Sequence, residues 1–522
     1  MDWLLIIIIT VLSVCTITLI NLLLHQTPKR LPPGPVSIPI ITSLQWLRKP
    51  LEAFEPTLRN VIAKYGPIIS LSIGYQKIIF IANSSLAHQA LVQNGAIFAD
   101  RPPAPVTSKI VSSNQHVISE ASYGPLWRLL RKNLTIQILH PSKIKSFSSA
   151  RKRVLNIIKE NIKKESNSGK NPVLVVDHLQ FGMFCLLAFM CFGEEIDVET
   201  IRQVESVQTN LLLGLSRFEV LNFFPKFFSN IFFKKIWQEF DKLRMDHKNV
   251  LIPLIRSRKE QMKKTSSENQ DDDQKSSLGF CYVDSLLNLE IPDEEGGSRK
   301  LTENEIVSLC REFFDAGTDT TTTALEWIMA NLVKYQDIQS KLYDEIRKIS
   351  DDDDDEIPEE DLKILPYLKA VVLEGLRKHP PGHFVLNHAV TQDVGLGGYI
   401  IPKEAIVTVM VAQIGRDPKV WGEDSMVFKP ERFLNDGSVN EEMSDLTGNK
   451  EIKMMPFGAG RRMCPASGLA MLVLEYFVAN LIKEFKWTPK DGDDIDFSEK
   501  QEFITMVMKN PLWAHVSPTK QE

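Results

Sequence analysis

Several functional classes are excluded by what this sequence lacks. Its six cysteines (Cys15, Cys185, Cys191, Cys281, Cys310 and Cys464) are spread thinly. They form neither a disulfide framework nor a Cys-x-x-Cys zinc pattern, which suits a reducing compartment. No nucleotide-binding glycine motif, flavin domain or serine-hydrolase signature occurs. Long basic runs are missing, and 61 Lys and Arg stand against 66 Asp and Glu for a net charge of −5, which argues against nucleic acid as a partner. Internal repeats are also absent. What remains is a chain of 522 residues, 43% hydrophobic and 24% charged, an ordinary globular composition with a core large enough to enclose a prosthetic group.

The first 24 residues differ from the rest. Between Trp3 and Leu24 no side chain is charged, and such a run gives roughly 33 Å of helix, close to a bilayer core. It has no basic leading region and no small-residue cleavage site, so a transmembrane anchor over about 3–24 is expected rather than a cleaved signal. Asp2 precedes the span and Lys29 and Arg30 follow it, so the positive-inside rule leaves the main body in the cytosol. The expected organisation is an anchor over 1–30 and one catalytic domain over 31–522. A single-pass protein of the endoplasmic reticulum membrane is the location inferred by class.

Leu31-Pro32-Pro33-Gly34-Pro35 then reads as a stiff hinge, because proline fixes φ and restricts its predecessor. Ile68 to Ile73 and Lys77 to Ala82 are β-branched runs around Gly74-Tyr75-Gln76 and predict a hairpin. Helical periodicity dominates afterwards. Lys263 to Ser277 has no apolar residue and Asp351 to Glu356 is wholly acidic; both are expected to be solvated loops.

Four motifs carry chemistry. In Phe457-Gly458-Ala459-Gly460-Arg461-Arg462-Met463-Cys464-Pro465, two glycines allow positive φ and close backbone approach. An apolar helix is expected from Gly468 to Phe485, so Cys464 lies near a helix N-terminus, where a thiolate is favoured. Arg462 adds positive potential. Glu374-Gly375-Leu376-Arg377 places an acid and a base on one helix face, and Arg432 of Pro430-Glu431-Arg432-Phe433 is a candidate third member. A buried group of this kind fixes one geometry rather than adding stability.

The third motif sits in a long predicted helix, opened by a Thr302/Glu305 capping box and running to about Val333. In its middle, Ala316-Gly317-Thr318-Asp319-Thr320-Thr321 contains poor helix formers, a conflict of the kind that marks function. Gly317 is expected to leave room for a ligand, a Thr hydroxyl to take a backbone carbonyl, and Asp319 with Thr320 to form a proton relay. Lastly, Trp127 and Arg131 share a helix face at i, i+4 and suit an anionic carboxylate.

Taken in order, these motifs resemble the cytochrome P-450 family from about Leu31 to the C-terminus. Phe98-Ala99-Asp100-Arg101-Pro102, Tyr123-Gly124-Pro125 and Gly415-Arg416-Asp417-Pro418 further resemble plant microsomal members of the A-type. The resemblance implies a mainly α fold with a small β region. It implies haem b as cofactor, with Cys464 the axial ligand of the iron, and a haem held between the Cys464 loop and the long helix. It places Trp127, Arg131, His388 and Arg462 at the propionates, Phe457 beside the sulfur, and Asp319 and Thr320 in proton delivery to dioxygen. Glu374, Arg377 and Arg432 become structural. Where the family usually has glycine, two residues after the cysteine, this chain has Ala466, and a smaller departure is Asn387 before His388.

The implied reaction inserts one oxygen atom from O₂ into a lipophilic small molecule. Electrons come from NADPH through a separate NADPH–cytochrome P-450 reductase, with cytochrome b5 as a second donor, and Arg128, Lys132 and Arg461 offer a basic docking face. Substrate contacts are implied near Ala104 to Gln115, along Phe313 to Thr320, at Gly382 to Leu386 and around Phe503 to Val507. Two other readings compete. One is a peroxide isomerase or dehydratase of the same fold; the other is a haem-binding protein that does not turn over.

Overall fold

The computed structural model describes residues 10, 13, 16, 31–35, 51–73, 76–222, 226–268, 279–293, 296–350, 356–490 and 494–519. The expected anchor over 3–24 lies outside these residues, apart from Thr10, Ser13 and Thr16. The chain divides into two compact units, each built from three separated stretches: 1–102, 384–415 and 446–462 in the first, and 103–383, 416–445 and 463–522 in the second.

The first unit is organised on a four-stranded sheet. Ile68–Ile73 pairs antiparallel with Gln76–Ile81, with Ile68 opposite Ile81, so the expected hairpin forms and its return strand begins one residue early. Gln76–Ile81 then runs parallel to Ile406–Val409, which pairs antiparallel with His388–Ala389. The alternation of side chains along a strand puts Ile68, Ile79 and Ile81 into one apolar cluster with Val407 and Leu91. Ile69, Leu71 and Phe80 face the opposite cluster with Leu58 and Met410. Because both faces are covered, the strands read as continuous β-branched runs instead of alternating with polar residues. The hinge is fastened to this sheet: the Ser70 amide donates to the Pro33 carbonyl at 2.9 Å and its hydroxyl to the Pro32 carbonyl at 2.7 Å.

Helices make up most of the second unit. The long helix spans Glu303–Lys334, and both halves of its predicted capping box are present. The Glu305 amide donates to Thr302 Oγ1 at 3.3 Å, while the Thr302 amide donates to Glu305 Oε2 at 2.8 Å. Such a cap contributes about 1 kcal/mol. From Thr322 to Val333 every residue is buried. Around it pack Val175–Phe192, Pro366–Lys378 and Ser467–Glu484. Val175–Phe192 is apolar and long enough to cross a bilayer, but 83% of it is buried within the protein, which makes it a core helix. Small sheets border the helices, among them Phe485–Pro489, Trp513–Pro518 and Pro172–Leu174 in one three-stranded set.

Two loop expectations are modified. The helix Lys234–Glu268 continues into the polar stretch that begins at Lys263, and residues 269–278 lie outside the described set. At the end of the acidic run, Glu356 is half-buried rather than solvated, accepting from the Tyr476 hydroxyl at 2.9 Å and pairing with Lys152 at 3.0 Å.

Candidate active site

Within the first unit, the glycine loop is shaped by contact with the backbone near Leu91. Gly458 and Gly460 take φ of 71° and 69°, a region that L side chains rarely adopt. A Cβ on Gly460 would stand 1.9 Å from the Leu91 carbonyl oxygen. Any side chain here would push the loop off its seat. Phe457, at the head of the loop, is half-buried.

Arg462 and His388 are drawn to neighbouring carbonyls of one short segment. Arg462 Nε donates to the Ala99 carbonyl at 2.7 Å, and His388 Nδ1 donates to the Phe98 carbonyl at 2.6 Å. Burial, Arg101 and Arg462 push the His388 imidazole down to about 3, so it is neutral, with its proton at Nδ1. Nε2 is then an acceptor. Arg101 in turn holds the carbonyls of Leu386 and Asn387 at 2.9 and 2.7 Å. The Phe98–Arg101 stretch thus fastens two residues expected at a cofactor carboxylate. Sequence inspection saw this motif but gave it no role, because carbonyl acceptors leave no mark in residue type.

Cys464 belongs to the second unit, three residues before the helix Ser467–Glu484. Arg131 reaches the same turn, donating to the Met463 carbonyl at 2.6 Å. Its guanidinium lies 5.6 Å from the buried Trp127 ring, as the i, i+4 spacing predicts. Burial pushes the Cys464 thiol up, while the Ala466 amide and Arg131 pull it down. The Ala466 amide matches the helix-start contribution expected from sequence, but the guanidinium acting on the thiol is Arg131, not Arg462, and burial outweighs both; a coordinated metal deprotonates such a thiol outright. Ala466 has φ −97° and ψ 16°. That conformation is open to alanine without strain, and the amide toward the sulfur is kept.

On the long helix, Ala316 is exposed and Gly317, Asp319, Thr320 and Thr321 are partly exposed, while Thr318 is buried and everything from Thr322 to Val333 is buried. An open face in the middle of a buried helix is the feature of a cavity wall. Thr320 Oγ1 donates to the Ala316 carbonyl at 2.7 Å, which leaves its lone pairs as acceptors toward the open side. The Asp319 carboxyl is pushed up to about 6 by burial, with Asp315 and Glu502 adding repulsion. Glu502 comes from far along the chain and carried no signal. One expectation is corrected: a Cβ on Gly317 would stand 2.8 Å from Leu187 Cδ1. The missing side chain admits the core helix Val175–Phe192, not a ligand.

The Glu374 group forms. Arg377 donates to Glu374 through Nε at 2.6 Å and Nη2 at 2.8 Å, with both side chains fully buried. Arg432 Nε lies 3.5 Å from Glu374, and the Lys429 amide adds a bond at 2.9 Å. Arg432 is also tied to Asp424 at 2.8 Å and to the Trp421 carbonyl at 2.7 Å.

Of the expected substrate-lining residues, Val106, Leu386, Phe503 and Ile504 are exposed. Phe384 is not available for that role: its ring packs against Phe54 and Phe80 at 6.3 and 6.4 Å. Phe313 packs on Tyr282 at 5.0 Å.

Residues 32–515 match the model of the cytochrome P-450 family. The chain belongs to that family. It is 46% identical over 509 residues to cytochrome P-450 89A9 of Arabidopsis thaliana, covering 96% of each chain. It is 31% identical to isoflavone 3'-hydroxylase of Medicago truncatula, over 97% of this chain and 96% of the relative. A zebrafish cytochrome P-450 solved with progesterone shares the fold at a TM-score of 0.71 and 21% identity, covering 90% of this chain and all of that one. The mainly helical fold with a small β region is therefore the family's, and the chain is a cytochrome P-450 monooxygenase with haem as its implied cofactor. The donor set fits that group. Cys464, partly exposed at a helix start, offers the single soft ligand that a porphyrin leaves open.

Proposed function

We propose that this cytochrome P-450 inserts one oxygen atom of O₂ into a lipophilic small molecule, using electrons from NADPH delivered by a separate NADPH–cytochrome P-450 reductase. The observation that carries this reading is Asp319, a carboxyl with a proton affinity near pH 6, beside Thr320 on the open stretch of a buried helix. Rearrangement of a peroxide needs no such proton supply. Haem held through Cys464 would supply the oxygen activation. Asp319 holds and releases a proton at its carboxyl oxygen. Thr320 Oγ1, its own proton committed to the Ala316 carbonyl, accepts from a donor in the open space. Trp127, Arg131 and Arg462 hold the propionates in this reading, and Phe457 covers the sulfur; His388, its Nδ1 proton committed to the Phe98 carbonyl and only an acceptor left at Nε2, is not a donor to a carboxylate. Glu374, Arg377 and Arg432 keep the surrounding core in one geometry.

Arg128 and Lys132, one turn apart and both exposed, offer the reductase a basic face together with Arg461. Cytochrome b5 is a second candidate for that face. The uncharged stretch over 3–24 anchors the protein in the endoplasmic reticulum membrane, with the catalytic part in the cytosol. Apolar Val106, Phe313, Ala316 and Ile504 favour a lipophilic substrate, and the name of the Medicago relative makes an isoflavone a sensible first probe. The test is NADPH oxidation in a mixture of purified protein, plant reductase and a panel of isoflavones and terpenes under ¹⁸O₂. Product carrying one labelled atom, lost on omitting reductase, is expected. Conversion of a fatty hydroperoxide without O₂ or reductase would instead establish the isomerase reading.

A further inference from the structure

A second cavity borders the first three turns of the long helix, N-terminal to the open face at Ala316. Its volume is about 500 Å³, within the range of small-molecule sites. Its charge is unusual. Arg244 and Lys248 line it from the helix Lys234–Glu268, and Arg311 lines it from the long helix. At i, i+4 the first two repel one another, an arrangement that costs stability unless something offsets it.

Among the described residues, carboxylates answer these cations only in part. Glu305 also lines the cavity, but Arg299 holds it with two bonds at 2.7 and 2.8 Å and His116 with another at 2.7 Å. Asp315 pairs with Arg311 Nη1 and also accepts from Gln208. Arg244 has only the exposed Asp241, at 3.6 Å. Among the described residues Lys248 has no ion-pair partner. The Nε atoms of both Arg244 and Arg311 are buried without a hydrogen-bond acceptor, and Arg311 is only 8% exposed. Buried guanidinium nitrogens without acceptors are costly. His247, also in the wall, is pushed down to about 3, chiefly by burial and further by Arg311 and Lys248, so it is neutral and offers no counter-charge. The rest of the lining is mixed: Ile110, Val111, Leu211 and Val307 form its apolar part, and Ser113, His116, Thr302, Asn304 and Ser308 its polar part.

We propose that this cavity binds a small organic acid, with its carboxylate between Arg244, Lys248 and Arg311 and its apolar body against Ile110, Val111, Leu211 and Val307. Paired guanidinium donors suit a carboxylate, and the four apolar side chains give an organic body a contact that a bare inorganic ion would not use. Ile110 and Val111 also belong to the Ala104–Gln115 segment expected to contact substrate, so the site adjoins that region, while its cations come from other helices.

Titration calorimetry of the haem-loaded full-length protein with decanoate and with methyl decanoate tests this. Decanoate is expected to bind the wild type at least tenfold more tightly than the Arg244→Gln/Lys248→Gln double variant. Methyl decanoate is expected to bind both proteins equally and weakly. Equal decanoate affinity in the two proteins, or ester binding as tight as acid binding to the wild type, would overturn the proposal. So would displacement of decanoate by an equal concentration of inorganic phosphate. The acid–ester comparison uses wild type alone, so a double variant that fails to fold leaves it standing. The carbon monoxide difference spectrum of the same samples reports the haem–thiolate reading separately.

Discussion

Glu374 with Arg377 and Asp319 with Thr320 are two polar groups set into the same helical unit, and they are completed in opposite ways. Glu374 is saturated by Arg377, the Lys429 amide and Arg432, at zero exposure. Asp319 is surrounded by burial and by two other carboxylates, and sits on a partly exposed stretch of the long helix. Both groups cost desolvation. In the first the protein supplies every counter-charge, so the group locks the core. In the second the protein withholds the counter-charge, so the carboxyl keeps its proton to near pH 6 and remains available for chemistry. Saturated polarity builds scaffold, and unsaturated polarity does work.

Breaking the first group should give the largest effect. Arg377→Ala leaves a buried carboxylate without its main partner, a loss of about 3–5 kcal/mol. Chemical denaturation is expected to show that loss, together with little recoverable folded protein. Next, Asp319→Asn should lower product formation by about 10²-fold, the lower end of what a positioned acid–base group contributes, and leave the carbon monoxide spectrum unchanged. The opposite result, lost spectrum with retained turnover per haem, would put Asp319 with the scaffold.

The same residue sharpens the contrast through pH. The folded-state pKa of Asp319 is raised above its unfolded value, so the folded protein binds the extra proton between about pH 4 and pH 6. Its contribution to stability therefore declines as pH rises through that window. Asp319→Asn removes the decline, so the variant should melt slightly higher than wild type at pH 7 and no higher at pH 4. A less active but more stable variant is the signature of a group kept for chemistry. The smallest effects concern two small residues. Gly317→Ala should couple to Leu187→Ala in a double-mutant cycle by about 0.5–1 kcal/mol, with the second change relieving the first. Ala466→Gly should leave haem content unchanged, since the backbone there is already unstrained for alanine.

Local features were legible in the sequence. The Thr302/Glu305 box, the hairpin around residues 74–75 and the Trp127/Arg131 pair depend on spacing alone, and spacing is visible in one chain. The Glu374 group was legible through its motif, though its bonds to Asp424 and the Lys429 amide were not. What failed were inferences about space. Gly317 read as room for a ligand because a missing side chain does not say which neighbour fills the gap; Leu187, 130 positions earlier, does. Phe384 read as a substrate contact because an aromatic in a loop looks the same whether it faces a cavity or packs on Phe54 and Phe80. The acceptors for His388 and Arg462 are main-chain carbonyls, which every residue has. The cavity at Arg244 and Lys248 left no signal in the sequence, because cations on a charged helix look the same whether they face solvent or a cavity.

The most direct test of the haem–thiolate assignment is the carbon monoxide difference spectrum of dithionite-reduced wild type beside Cys464→Ser. A long-wavelength Soret band in the wild type, absent from a folded Cys464→Ser, is the expected result. The same band in both proteins, or no haem in well-folded wild type, would contradict the assignment of Cys464 as the ligand.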